Sequence, residues 1–258
     1  MTTQRAGSPP DANEFRGTSR VHRGLFAVLV LALSPRPIVG QQPAAPYRVT
    51  WFDAASVGAA GVLYLLPGAL GLPNGGPSCA PCDPASLPGV DRWALRPVSA
   101  TAATASNLVL VGVAASAAFL SAHDRARAQA RGNAAVLASS VAWTAATTEW
   151  LKVIVRRKRP VLYTGDATAA AADKENQESL PSGHASVAFA AATTYWVLAR
   201  RERLPHRTRN TIFLYAGAAG VAALRVAAGK HFPTDVLAGA ALGSAVGWLV
   251  PTIHPTQP

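Results

Sequence analysis

Arg225-Val-Ala-Ala-Gly-Lys-His-Phe-Pro-Thr-Asp235 is a short polar stretch between two apolar blocks, 211–224 and 234–250. A chain that leaves one apolar block, shows a few ionisable residues and at once enters another reads as two long helices joined at their ends. The same alternation runs through most of the sequence. Further blocks lie at 51–72, 98–121, 134–155 and 184–199, each close to the roughly 20 residues a helix needs to cross the hydrocarbon core. The fold expected is all-α, a polytopic membrane bundle of about six helices.

Composition supports this reading. Half of the 258 residues are apolar and 14% are charged, and the mean hydropathy is positive. The competing reading is a soluble bundle of Ala-rich helices. Against it, the polar segments are short and the blocks lack the charged outer stripe of a soluble amphipathic helix. Alanine and glycine dominate several blocks, which suits close helix packing in lipid. One membrane-embedded domain, 47–258, is expected, with residues 1–46 as a separable tail.

The net charge of +11 is explained by where the cations fall. Arg125, Arg127 and Arg131 follow the second block, and Arg200, Arg201, Arg203, Arg207 and Arg209 follow the fourth. The positive-inside rule assigns both loops to the cytoplasm. Alternation then gathers 73–97, 156–183 and 225–233 on the extracytoplasmic side. A bacterial-type inner membrane protein, multi-pass, is the expectation. Nucleic-acid binding is disfavoured, because no aromatic residues interleave with these arginines and no recognition module is visible. Near the N-terminus, Arg16, Arg20 and Arg23 precede the apolar run Leu25-Phe-Ala-Val-Leu-Val-Leu-Ala-Leu33, a signal-like pattern. If it is cleaved, 51–72 must be interfacial or re-entrant; if it is retained, all six blocks can span.

Cys79 and Cys82 are the sole cysteines and sit in a Gly/Pro-rich loop. A disulfide is the first reading, with idle thiols or a redox or metal role as alternatives; no strand-to-helix context and no nearby His or Cys supports the last two.

The polar segments carry residues suited to phosphate chemistry, which requires neutralised oxygens, an in-line nucleophile and an acid for the leaving group. Lys152 and Arg159 are seven residues apart, so on a helix they share nearly one face, and Pro160 is expected to end that helix. Snorkelling of a basic helix end, as for Arg156, Arg157 and Lys158, is the plainer explanation of that stretch. Pro181-Ser-Gly-His184 stands where the next helix should begin, a position that attracts anions. Ser182 offers a hydroxyl or a simple N-cap, Gly183 permits close approach, and His184 can move a proton near neutral pH. His231 and Asp235 are spaced so that the carboxylate could hold one imidazole nitrogen while the other attacks. Pro233 between them is expected to start the last helix. Arg225 presents a permanently charged fork to phosphate.

Taken in order, Lys-x6-Arg-Pro, Pro-Ser-Gly-His and Arg-x5-His-x3-Asp resemble the three-part signature of the type 2 phosphatidic acid phosphatase superfamily, which includes haloperoxidase-like proteins, and specifically its membrane-bound lipid phosphatase branch. The resemblance covers about 98–250. One departure is visible: Leu224 stands where the family usually has Ser before the arginine. The resemblance implies His231 as a nucleophile forming a phosphohistidine, Asp235 as its orienting partner, and His184 as acid and then base. It implies that Lys152, Arg159, Ser182, Gly183 and Arg225 bind phosphoryl oxygens. It calls for neither metal nor other cofactor, since the cations supply the electrostatics. Asp166, Asp173, Glu175 and Glu178 share one loop and read as a solvated face or a substrate-screening lid. The expected substrate is a membrane lipid phosphate or pyrophosphate: polyprenyl pyrophosphate, phosphatidate or phosphatidylglycerol phosphate. A phosphotransferase on the same scaffold, vanadate-dependent halide oxidation, and a transporter or structural bundle are the alternatives. A transporter should show charges near span centres or paired broken helices, and neither is evident. Oligomeric state is left open.

Overall fold

The six apolar blocks form six long helices: α1 Trp51–Ala69, α2 Ala100–Ala122, α3 Arg127–Val155, α4 Gly183–Arg201, α5 Arg207–Ala227 and α6 Pro233–Ile253. The structure is a computed structural model that describes residues 47–256; the basic and apolar run at 16–33 lies outside them. Single helical turns at Gly89–Arg92 and Ala167–Ala170 interrupt the long connections, and no strand occurs among the described residues. Pro233 occupies the first position of α6, where its missing N–H costs nothing and its fixed φ suits a helix start. Pro67 falls in the last turn of α1 without breaking it.

Four helices, α1, α2, α5 and α6, are long and apolar enough to cross a membrane, and the chain is a multi-pass membrane protein. Their outer faces carry Val62, Leu65, Leu108, Phe119, Ile212, Phe213, Leu237 and Trp248 in exposed positions, as lipid-facing surfaces require. α3 and α4 fall outside that set for a physical reason. α4 packs against α2, α3, α5 and α6, so nearly all its side chains meet protein, and an interior helix can carry polar groups that lipid would not tolerate.

The connections alternate between the two ends of the bundle. Loops before α2, between α3 and α4, and between α5 and α6 meet at one end: Cys82 N–H donates to Leu162 O at 2.8 Å and Ser99 N–H to Ala228 O at 3.1 Å. At the opposite end Gln129 and Asn133 of α3 donate to the Glu202 carboxylate at 2.8 and 3.1 Å.

The closest contact in the bundle is α6 on α4. Gly239, Gly243 and Gly247 recur every four residues along one face of α6, and each lies directly on α4 backbone. A Cβ at Gly239 would come 2.6 Å from Ser182 O, one at Gly247 2.6 Å from Ala190 O, and one at Gly243 would collide with Ser186 O. Small residues let helix backbones approach in this way. We expect Gly243→Ala to lower stability by about 1–3 kcal/mol, as overpacking does, and Gly243→Leu to yield no folded protein. Gly61→Ala is the control, since nothing lies within 4 Å of that site. Thermal unfolding in detergent reads all three, and equal melting of Gly243→Ala and the parent would remove the argument.

Candidate active site

α3 ends earlier than Pro160 suggested. Its last residue is Val155; Arg156 adopts a left-handed conformation with φ 50° and returns its N–H to Lys152 O. Residues beyond it leave the helix because they find other partners: Ser179 N–H donates to Arg157 O at 2.9 Å, and Arg159 N–H to Asn176 O at 2.8 Å. Lys152 and Arg159 therefore do not share a helical face. Both reach the same place by different routes, Lys152 from the last turn of α3 and Arg159 from an extended segment that Pro160 closes with a short 3-10 turn.

The close packing of α6 on α4 brings the other two motifs together. Ser182 N–H donates to Asp235 O at 3.0 Å, stitching the start of α4 to the first turn of α6. Ser182 is the N-cap of α4, yet its hydroxyl makes no capping bond; it is fully buried and without a hydrogen-bond partner. Beside it, Lys152 Nζ lies 3.7 Å from where a Cβ would stand on Gly183. Arg225, in the last turn of α5, is 6% exposed, and Arg159 is 7% exposed. The Nε atoms of both have no hydrogen-bond partner. Buried donors are ordinarily satisfied, so a hydroxyl and two guanidinium N–H groups held unpaired beside a lysine form a site suited to an oxyanion.

Both histidines are held by specific acceptors. Asn107 Oδ1 on α2 lies 2.6 Å from His184 Nε2. The preceding residue, Ser106, places its hydroxyl 3.4 Å from Arg225 Nη1; this hydroxyl contact comes from α2, while residue 224 is Leu. His231 is fully enclosed, with Nδ1 2.8 Å from the Ser179 carbonyl oxygen. Asp235 was expected to hold that nitrogen. It stands 3.8 Å away because its oxygens are engaged elsewhere: Oδ2 accepts from Ser179 Oγ at 2.5 Å and Phe232 N–H at 2.8 Å, and Oδ1 accepts from Arg157 Nη1 at 2.5 Å. The carboxylate is thus linked to the imidazole through Ser179 as well as facing it across 3.8 Å.

Burial holds the His231 imidazole well below its ordinary value of 6.5, and Arg225, Arg159 and Lys152 push it the same way. The ring is neutral at neutral pH. A carbonyl oxygen only accepts, so Nδ1 carries the hydrogen and Nε2 the free lone pair. The same crowding of cations appears at Lys230, lowered by burial and then by Arg159 and Arg225.

The acidic loop divides. Asp166 and Asp173 are exposed, whereas Glu175 pairs with Arg159 at 3.4 Å. Burial pushes the Glu178 carboxyl up, against the pull of Lys152 and Arg159. Glu149 on α3 pairs with Lys152 at 2.9 Å. Among the described residues no group of three or more His, Cys, Asp or Glu side chains is placed to hold a metal ion. Cys79 and Cys82 are joined by a disulfide, and their loop packs on Val161, Leu162 and Ala170. Gly229, with φ +64°, lies so close to Pro97 O that a Cβ would stand 2.9 Å from it.

Several members of this arrangement were not apparent from the sequence. Arg157, read as a snorkelling cation, turns inward between Asp235 and Asp91. Ser106, Asn107 and Asp91 belong to segments with no motif, and Ser179 contributes a backbone carbonyl that no residue type advertises.

Residues 133–258 match the model of the PAP2 superfamily. Two curated relatives, each called decaprenylphosphoryl-5-phosphoribose phosphatase, come from Mycobacterium tuberculosis strains CDC 1551/Oshkosh and H37Rv. Each is 35% identical over 103 residues, which is 40% of this chain and 51% of the relative. The chain spans about half the length of the curated relatives it matches. All three motifs fall within the matched residues, and it is through residues 133–258 that the chain is similar to the PAP2 superfamily.

Proposed function

We propose that this protein is a phosphatase that hydrolyses a lipid-linked phosphate monoester through a phosphohistidine on His231. The observation that carries the reading is a neutral, enclosed imidazole whose free Nε2 shares a site with unpaired buried donors of Arg159, Arg225 and Ser182. In the first step Nε2 attacks phosphorus, the N–P bond forming as the P–O bond to the leaving alcohol of the lipid-linked substrate breaks. His184 gives its proton to the leaving oxygen. In the second step water attacks phosphorus, its proton passes to His184, the N–P bond breaks and inorganic phosphate leaves. Lys152, Arg159 and Arg225 neutralise the equatorial oxygens throughout, work done in other phosphoryl transfers by bound cations. Asp235, 3.8 Å from Nδ1, offsets the positive charge that the ring acquires when phosphorylated.

The site lies at the ends of spanning helices, which suits a substrate with its phosphate at the membrane surface and its tail in lipid. The relatives are named for a polyprenyl-linked phosphosugar, and we infer the same substrate class here. The arginine-rich loops at the opposite end support an extracytoplasmic site.

Detergent-purified protein in excess chelator should release phosphate from a polyprenyl-phosphoryl phosphosugar faster than from phosphatidate or polyprenyl pyrophosphate. His231→Ala should lose on the order of 10³-fold or more, as removal of a covalent nucleophile does. No release by folded wild type would refute the hydrolase reading, and phosphate appearing on an added lipid alcohol would identify a transferase. His184→Ala should lose about 10²–10⁴-fold on alkyl phosphates but much less on p-nitrophenyl phosphate, whose leaving group needs no acid. Equal losses on both would remove His184 from that role.

Protonation supplies a separate check. His231 should stay neutral to pH values well below 6.5, and Arg225→Gln should raise its titration midpoint, since a nearby cation disfavours the imidazolium. Because the unfolded chain binds this proton first, stability should fall as pH drops below about 6.5 toward the folded midpoint. Imidazole NMR, assigned by loss of signal in His231→Ala, measures the midpoint.

A further inference from the structure

The region matched to the family begins at residue 133, yet a fully buried carboxylate in the network behind His231 comes from before it. Asp91 lies in the single turn Gly89–Arg92 of the loop that joins α1 to α2. Its Oδ2 accepts from Arg157 Nη2 at 2.6 Å and Thr234 Oγ1 at 2.8 Å, and its Oδ1 from Thr234 N–H at 3.2 Å. Arg157 Nη1 in turn donates to Thr234 Oγ1 at 2.6 Å and to Asp235 Oδ1 at 2.5 Å. The guanidinium also lies over the Phe232 ring, 4.8 Å from its centroid.

A guanidinium is a rigid planar fork, so pinning one nitrogen decides where the other points. Asp91 pins Nη2, and Nη1 is thereby aimed at Asp235. From Asp235 the chain continues through the Ser179 hydroxyl, whose residue also supplies the carbonyl on His231 Nδ1. The turn bearing Asp91 is itself seated: Arg92 Nη2 bonds Ala85 O and Leu87 O, both at 2.9 Å, and Ala94 packs on Ala185, Val226 and Val236 at the starts of α4 and α6 and the end of α5. A cation shared by two buried carboxylates is a poor device for stability alone, because desolvation offsets most of the attraction. Its extension to the imidazole gives it another use.

We propose that Asp91 is a positioning residue, which through Arg157 and Asp235 fixes Ser179 and so dictates that His231 holds its hydrogen on Nδ1 and leaves Nε2 free. The α1–α2 loop is then part of the machinery rather than a cover for it. The kinetic consequence rests on the phosphatase reading; the tautomer consequence does not.

The test compares wild type with Asp91→Asn, which keeps shape but replaces one of the two carboxylate oxygens, Oδ2 with two donors and Oδ1 with one, by an amide NH2. With ¹⁵N-histidine labelling and His231→Ala for assignment, wild type should show the Nδ1–H tautomer alone and Asp91→Asn a mixture. On the preferred lipid phosphate, kcat should fall about 10–100-fold, the scale of a misplaced reacting group, with KM within about twofold. Adding Arg157→Gln should cost little more, because both act through one chain of contacts. An unchanged tautomer, or an unchanged kcat in a hydrolytically active protein, overturns the proposal and leaves Asp91 a tether of the fold. Should wild type prove inactive, the phosphatase reading fails while the tautomer still decides the role of Asp91. If Asp91→Asn does not fold, Thr234→Val, which removes a hydroxyl bonded to both Asp91 and Arg157, should move tautomer and kcat in the same directions, and no movement refutes the idea.

Discussion

The contact on which the rest depends is the seating of α6 on α4 through Gly239, Gly243 and Gly247. No side chain separates the two backbones there. Their N-terminal turns therefore start at nearly the same level, close enough for Ser182 N–H to reach Asp235 O. Two motifs separated by some fifty residues of sequence become one surface. Both helix starts direct backbone N–H groups and the positive ends of their dipoles toward that surface, a favourable setting for Asp235 in the structure and for phosphate in the proposed reaction.

Around this contact, charges are buried that lipid would reject individually. Arg159, Arg225, His231 and Asp235 are all nearly inaccessible. They are tolerated because an outer ring of apolar helices faces the membrane while α3 and α4 turn their polar residues inward. The cations are also partly balanced: Glu149 faces Lys152, Glu175 faces Arg159, and Arg157 sits between Asp91 and Asp235. What remains unbalanced is concentrated where the unpaired donors are. Burial, reinforced by that excess, keeps His231 neutral, and a neutral imidazole is what the proposed nucleophilic attack requires.

Much of this was legible in the residues. The apolar blocks correspond to the six long helices, four of them long and apolar enough to span, because length and hydropathy are properties of a local stretch. Pro233 as a helix start and the chemical character of Lys152, Arg159, His184, Arg225 and His231 could also be read locally. The end of α3 could not. Pro160 is a sound local stop signal, but the helix yields at Arg156 because the backbone of 157–159 pairs with 176–179, a partner that local reasoning does not see.

The sequence by itself determined the fold class, the helices and the residue types available for chemistry, since hydrophobic periodicity, helix punctuation and side-chain chemistry are all short-range. The tertiary structure alone decided how those residues are used. It set Asp235 3.8 Å from the imidazole and bonded it to Ser179, turned Arg157 from the membrane surface to the interior, and recruited Asp91, Ser106 and Asn107 from segments without a motif. These are outcomes of which backbone and side-chain groups meet across the bundle, and hydrogen bonds over long sequence separations carry no periodicity in the chain that makes them.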